Sequence, residues 1–231
     1  MKPAATHVVE TRGLGKRFGR HWALAHIDLS VDPGEVVLLA GANGSGKTTL
    51  LRLLAGLYRP TRGAARVLGH SLPEERLAAR RGVSLLSHDS YLYGRLTARE
   101  TLRFWSGLRG ERPAPGDLDR LLAEVALEAF ADNEVGSFSA GMKKRLSLLR
   151  TRLEAPRLVL FDEPFAALDA AGKKLAARWI REFRAAGAAV LVASHAIERS
   201  VPLADRALLL DGGQMIWAGA PGELSARMSL S

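Results

Sequence analysis

Eight consecutive residues, Gly41-Ala42-Asn43-Gly44-Ser45-Gly46-Lys47-Thr48, have the types and spacing of a loop that grips phosphate. Glycines let successive backbone N–H groups turn onto one anion, which side chains would otherwise block. Lys47 can reach the outer phosphates as a point charge, and Thr48 can offer its hydroxyl to Mg²⁺. The bland alternative is a glycine-rich turn before an ordinary helix. A second pair, Asp162-Glu163, closes the apolar run Leu158-Val159-Leu160-Phe161. Asp162 there can hold Mg²⁺, directly or through water, and Glu163 can orient and deprotonate an attacking water. The plain alternative is a solvated acidic pair. A third segment, Phe138-Ser139-Ala140-Gly141-Met142 followed by Lys143-Lys144-Arg145, has the character of a helix N-terminus. Ser139 can cap that helix, and the small residues let a phosphate come close.

The elements that must position these residues follow from periodicity. Val36-Val37-Leu38-Leu39-Ala40 is an apolar, β-branched run that predicts a buried strand entering the phosphate loop. Thr49 to Gly56 predicts the helix leaving it, ended by glycine. The helix dipole and its unpaired N–H groups then face the phosphates, making Gly41, Asn43, Gly44, Ser45, Gly46, Lys47, Thr48 and Thr49 the nucleotide-binding candidates. Upstream, Val8–Lys16 and Trp22–Val31 predict two strands joined at Gly19-Arg20. Phe18 ends the first of them, either as core or as a π-face on which a base can stack. Pro73–Arg81 predicts a short helix, and Gly82–Ser87 a buried strand leading to His88. Thr97 with Glu100 three residues on is a capping box opening a helix over Ala98–Leu108. A second helix is expected over Asp117–Ala129, and a basic one over Lys143–Glu154 with Leu146, Leu149 and Leu153 on one apolar face. No strand-like run interrupts Thr97–Arg152, which predicts an all-helical subdomain over approximately residues 89–155. A helix after Asp169 carries Leu175, Trp179, Ile180 and Phe183 on its inner face. Ala188–Ser194 is a further apolar strand delivering His195. Arg206–Leu210 and Gln214–Trp217 predict a closing hairpin, and Pro221–Met228 a terminal helix.

Composition narrows the chemistry. The 231 residues contain no cysteine, which excludes disulfides, thiolate catalysis and cysteine-ligated metals. Met1–Glu10 lacks the apolar core of a signal peptide, and no window has the uncharged apolar run of a membrane span. The expectation is a soluble chain that reaches a membrane only through partners. The net charge of +9 suits nucleic acid, an anionic surface or a nucleotide, but the basic residues are dispersed. Most are read as solvated surface.

Taken in order, these motifs resemble an ABC-type ATP-binding cassette over nearly the whole chain. Phe138–Met142 stands where that family has its Leu-Ser-Gly-Gly-Gln signature, Asp162-Glu163 matches Walker B, Ala167-Leu168-Asp169 the D-loop, His195 the switch histidine and Phe18 the adenine-stacking aromatic. The resemblance implies an α/β P-loop NTPase cassette, one domain over 1–231, with a mixed core sheet, an N-terminal antiparallel β subdomain and an inserted all-helical subdomain. It implies ATP and Mg²⁺ as ligands, and a second copy of the chain, or a paralogous cassette, paired head to tail. Ser139 and Gly141 of one copy would then touch the γ-phosphate held by Lys47 of the other, while His195 holds that phosphate and the attacking water. It also implies integral-membrane permease subunits, and a place on the inner face of the cell membrane. His88 stands where the family usually has glutamine, as a metal- and water-contacting candidate or a packed imidazole. Ser87–Tyr93, with Leu96–Glu100 and Leu102–Trp105, more narrowly resembles the cassette subunit of the cytochrome c maturation system, often named a haem exporter.

Competing classes are a soluble cassette ATPase acting on nucleic acid or ribosomes, and a nucleotide-binding regulator without turnover. Against the first stand the single cassette and the lack of a long inserted coiled coil; against the second, Glu163 and His195 are both present. No nucleic-acid partner is expected. Cargo is left open, because the membrane partner reads it.

Overall fold

The computed structural model describes residues 7–87 and 91–228; His88, the candidate in the usual glutamine position, lies outside the described residues. In chain order the elements are β1 (Val9–Phe18), β2 (His21–Val31), β3 (Val36–Ala40), α1 (Lys47–Leu54), β4 (Arg62–Val67), β5 (His70–Leu72), α2 (Arg76–Arg80) and β6 (Val83–Leu86). Then come α3 (Ala98–Leu108), α4 (Pro115–Glu124), α5 (Ala140–Leu153), β7 (Leu158–Asp162), α6 (Ala170–Ala185) and β8 (Ala189–Ala193). The chain closes with α7 (Ile197–Ser200), β9 (Arg206–Asp211), β10 (Gln214–Gly219) and α8 (Leu224–Met228). The described residues divide into two compact units, one within the bounds 1–87, 156–164 and 180–231, the other within 88–155 and 165–179.

The first unit holds both sheets. One is antiparallel, in the order β2-β1-β4-β5; the other runs β10-β9-β3-β8-β7-β6, parallel except for the β9–β10 hairpin. β3, β7 and β8 are buried at every residue, as the near-continuous apolar runs of interior parallel strands require. Leu50, Leu51, Leu53 and Leu54 of α1 join them in one core with Leu14, Leu24 and Ile27 of the antiparallel sheet. In β2 the buried Leu24 and Ile27 are three residues apart, which a regular strand would put on opposite faces. The register explains it: Leu14 pairs with Ile27 but Lys16 with Leu24, so β2 carries one extra residue, and His26 takes φ +57° there. β6 differs from the expected buried strand. It is the sheet edge, with Ser84 and Leu86 buried and Val83 and Leu85 half-buried.

The second unit is helical, apart from an isolated bridge between Thr97 and Glu134. α3 starts at the expected capping box, with Thr97 Oγ1 accepting from the Glu100 N–H at 3.1 Å and Glu100 Oε2 accepting from the Thr97 N–H at 2.9 Å. α4 begins at Pro115, inside the stretch expected to be linker, because proline suits a first helical turn. It stops at Glu124, five residues short of the expected end. Ala126 at φ +54° breaks the helix, and only a 3₁₀ turn follows at Glu128–Phe130. α5 starts three residues earlier than expected, at Ala140, and buries Lys144, Ser147, Leu148 and Thr151 as well as Leu146 and Leu149. It is therefore not a one-sided amphipathic helix.

Candidate functional site

The phosphate loop connects β3 to α1, and its glycines answer to specific crowding. A Cβ on Gly41 would stand 2.2 Å from the Leu210 carbonyl oxygen, and one on Gly46 2.6 Å from that of Ala23. Both residues also have positive φ, +141° and +107°. Backbone bonds hold the loop's shape: Ser45 N–H donates to Ala42 O at 3.2 Å, and Gly213 N–H to Ser45 O at 3.2 Å. Gly46 is the N-cap of α1, so the N–H groups of Lys47, Thr48 and Thr49 open the helix without intrahelical partners. That end of α1 is suited to an anion by partial charge and by geometry.

Lys47 is buried, and its ammonium donates to Gly41 O at 2.7 Å and Ala42 O at 2.9 Å. Burial lowers its pKa from the usual lysine value; the Glu163 and Asp162 carboxylates oppose that shift. The positive charge is thus stored inside the loop on two carbonyls, where an incoming phosphate can take it over.

Thr48 donates its hydroxyl to Asp162 Oδ2 at 2.8 Å, which joins the start of α1 to the end of β7. A hydroxyl and a carboxylate oxygen in contact are hard donors of the kind Mg²⁺ takes. Among the described residues no cluster of three or more His, Cys, Asp or Glu forms a closed metal cage. The pair would suit an ion completed by phosphate oxygens and water.

Glu163 lies one residue past β7, at φ +52°, with its N–H donating to Ala193 O at 2.8 Å. Its carboxylate is gripped from the end of β8. Ser194 Oγ donates to Oε2 at 3.2 Å, the His195 N–H donates to Oε1 at 2.9 Å, and His195 Nδ1 is also 2.9 Å from Oε1. The His195 side chain is 71% exposed, so the ring is accessible to a ligand while it meets Glu163. The two expected catalytic residues are thus in direct contact. Ser194 was not marked by sequence, where it reads as the last residue of an apolar strand.

Phe18 is 45% exposed, which favours the stacking alternative over the core one. Tyr58, also unmarked by sequence, meets its ring edge-to-face at 5.4 Å, and Lys16 Nζ is 5.0 Å from its centroid. Phe18→Ala is expected to raise the KM for ATP about tenfold, since base stacking is worth roughly 1–3 kcal/mol, and to leave kcat nearly unchanged. Initial rates across ATP concentrations check this, and an unchanged KM would remove the ring from the base site.

The second unit carries the signature segment. Ser139 N-caps α5, accepting from Met142 N–H at 3.2 Å. A Cβ on Gly141 would stand 2.8 Å from the Ala167 carbonyl, so glycine there also serves the close approach of the chain before Asp169. Arg145 Nη2 donates to Asp169 Oδ1 at 2.6 Å, and the same oxygen accepts from Gly172 N–H at 2.9 Å at the start of α6. These two bonds, with the helix N–H contributing most, hold the Asp169 carboxyl below the usual carboxylate range.

The ABC transporter family's sequence profile matches residues 24–166. The chain belongs to that family. Its likeness extends beyond the matched stretch. It is 34% identical over 227 residues to the sulfate/thiosulfate import ATP-binding protein CysA of Bordetella parapertussis, a match covering 95% of this chain and 64% of that protein. The cassette thus spans less than two thirds of the length of that relative. The Nod factor export ATP-binding protein I of Cupriavidus metallidurans is 32% identical over 222 residues, covering 95% of this chain and 73% of that one. Among solved structures, an ATP-binding subunit of an ABC transporter superimposes with a TM-score of 0.85 at 28% identity, over 96% of this chain and 94% of that one. A dimeric, post-hydrolysis ATP-binding cassette bound to ADP and Pi gives 0.82 at 23% identity, covering 92% and 98%, which shows the shared fold. The cassette architecture expected from sequence, with mixed sheet, antiparallel sheet and helices, is the one observed.

Proposed function

We propose that this chain is the ATP-hydrolysing subunit of a membrane exporter and works as a pair of cassettes. The observation that carries the reading is the meeting of three groups at the ends of neighbouring elements. Thr48 touches Asp162, Lys47 sits charged in the loop, and Glu163 follows Asp162 directly. Phosphate oxygens would take the loop N–H groups and the Lys47 ammonium. Thr48 and Asp162 would hold Mg²⁺, which when bound neutralises charge on the phosphates. Glu163 would accept the proton of the attacking water as its oxygen bonds to the γ-phosphorus and the bond to ADP breaks. His195 would steady the γ-phosphate. Ser139, the N-cap of α5 in the other unit, and Gly141 in its first turn would serve the nucleotide of a facing copy.

Export, by way of the haem-exporter assignment, rests on the resemblance carried by Ser87–Tyr93, Leu96–Glu100 and Leu102–Trp105. The named relatives include both an importer and an exporter. Tyr91 and Tyr93 are each 59% exposed, and Tyr93 packs edge-to-face on the exposed Phe104 at 5.5 Å. Such a patch suits an apolar anchor from a membrane subunit. No described helix is long and apolar enough to cross a membrane, so attachment to its cytoplasmic face would run through that subunit. Nucleic acid is left out of the partners, since arginines such as Arg99, Arg145 and Arg206 are already bound to carboxylates.

The test is purification of the tagged chain from its native host in mild detergent. A permease should travel with it, and Tyr93→Ala should weaken that association at unchanged basal ATPase. Recovery of the chain without any membrane subunit sinks the transport reading, and a permease of the import type sinks the export one.

A further inference from the structure

We propose that Ser194 is the positioning residue for the base: its hydroxyl aims the Glu163 carboxylate, so that turnover, and not nucleotide binding, depends on it. This rests on the reading of Glu163 as the group that accepts the proton from water.

Ser194 is fully buried at the end of β8, and its own N–H donates to Leu39 O at 3.2 Å on the neighbouring strand that enters the phosphate loop. Its hydroxyl is committed at both ends. It accepts from Ala196 N–H at 3.0 Å and donates to Glu163 Oε2 at 3.2 Å. With a lone pair spent on Ala196, the hydroxyl hydrogen has one carboxylate oxygen to point at. The chain Ala196 N–H to Ser194 Oγ–H to Glu163 Oε2 therefore has a fixed sense.

Glu163 needs such a hold. Its backbone is in the left-handed region, uncommon for a residue with a long side chain, and one backbone bond to Ala193 pins it there. From that backbone three side-chain torsions separate the carboxylate from its anchor. The His195 N–H fixes Oε1, but a single bond leaves the group free to pivot about it. The His195 ring, 71% exposed, is the contact that a nucleotide would draw away. Among the described residues Ser194 is the remaining side-chain donor, and it is buried just past the end of β8. Two fixed donors on two different oxygens define the carboxylate plane, and a base misplaced by an ångström loses much of its effect.

The experiment measures ATP turnover by the full chain across ATP concentrations for wild type, Ser194→Ala, Ser194→Thr and Glu163→Gln. Nucleotide binding on the same preparations normalises rates to folded protein. Ser194→Ala should lower kcat about 10- to 100-fold, the scale of one hydrogen bond to a charged group. Its KM should stay within about threefold, and threonine, which keeps the hydroxyl, should restore most of the rate. A Ser194→Ala rate equal to wild type overturns the proposal. So does a loss that threonine leaves unrepaired, or one that lies in KM. The prior reading is judged separately: a wild type without turnover sinks the ATPase reading, and an unaltered Glu163→Gln sinks the choice of base.

Discussion

Lys47→Ala should leave a folded chain that no longer holds ATP. The ammonium of Lys47 supplies three donors, of which the Gly41 and Ala42 carbonyls occupy two, at 2.7 and 2.9 Å. A bound phosphate offers the same donors a full negative charge in a buried site, which carbonyl dipoles cannot match. Removing the group forfeits one or two charge-assisted bonds, about 2–5 kcal/mol, or roughly 30- to several-thousand-fold in affinity. The fold should survive. Gly213 N–H on Ser45 O, Ser45 N–H on Ala42 O and Leu50 N–H on Gly46 O hold the loop without the side chain. Lys47→Arg should fail nearly as badly, because a planar guanidinium cannot take the compact seat between two carbonyls. Calorimetric titration with ATP, read beside a thermal melt, separates the two effects. ATP affinity within about threefold of wild type would remove Lys47 from the site.

How much of this was legible in the sequence depends on the range of the interaction. The phosphate loop was readable because its chemistry is local: glycines, a lysine and a threonine at fixed spacing between an apolar run and a helix. The Thr97 capping box was readable for the same reason, since both of its bonds close within three residues. What escaped is what the chain brings together from afar. Ser194 reaches Glu163 across 31 positions, and nothing in an apolar strand ending in serine announces it. Tyr58 meets Phe18 from the turn after α1. Gly41 and Gly46 were read as freeing N–H groups, yet each is also required by a carbonyl delivered from elsewhere, Leu210 and Ala23. Helix ends failed where burial or a single strained residue overrode periodicity, as at Ala126 after α4 and at Ala140 in α5. His70–Leu72 was too short to show as a strand; it exists because it can pair with β4.

Glu163→Gln should bind ATP as wild type does and stop there. The amide is isosteric with the carboxylate, and its oxygen can still accept from the Ser194 hydroxyl or the His195 N–H, so the loop between β7 and α6 keeps its shape. What it loses is the capacity to take a proton from water. General-base catalysis contributes about 10²–10⁴-fold, so kcat should fall by that factor while ATP affinity stays within about threefold. The consequence extends beyond one active site. If each nucleotide is caged between the loop of one copy and the Ser139 helix end of another, an enzyme that cannot consume its ATP accumulates as the closed pair. Sizing with Mg-ATP should then show a dimer for Glu163→Gln, a monomer on ADP, and loss of the dimer when Ser139→Arg fills the capping position with a bulky charge. The outcomes separate two ideas. Unchanged turnover removes Glu163 from the base position and leaves the cage standing. Lost turnover with a monomer in ATP keeps the base and overturns the cage, because Ser139 would then face no second nucleotide.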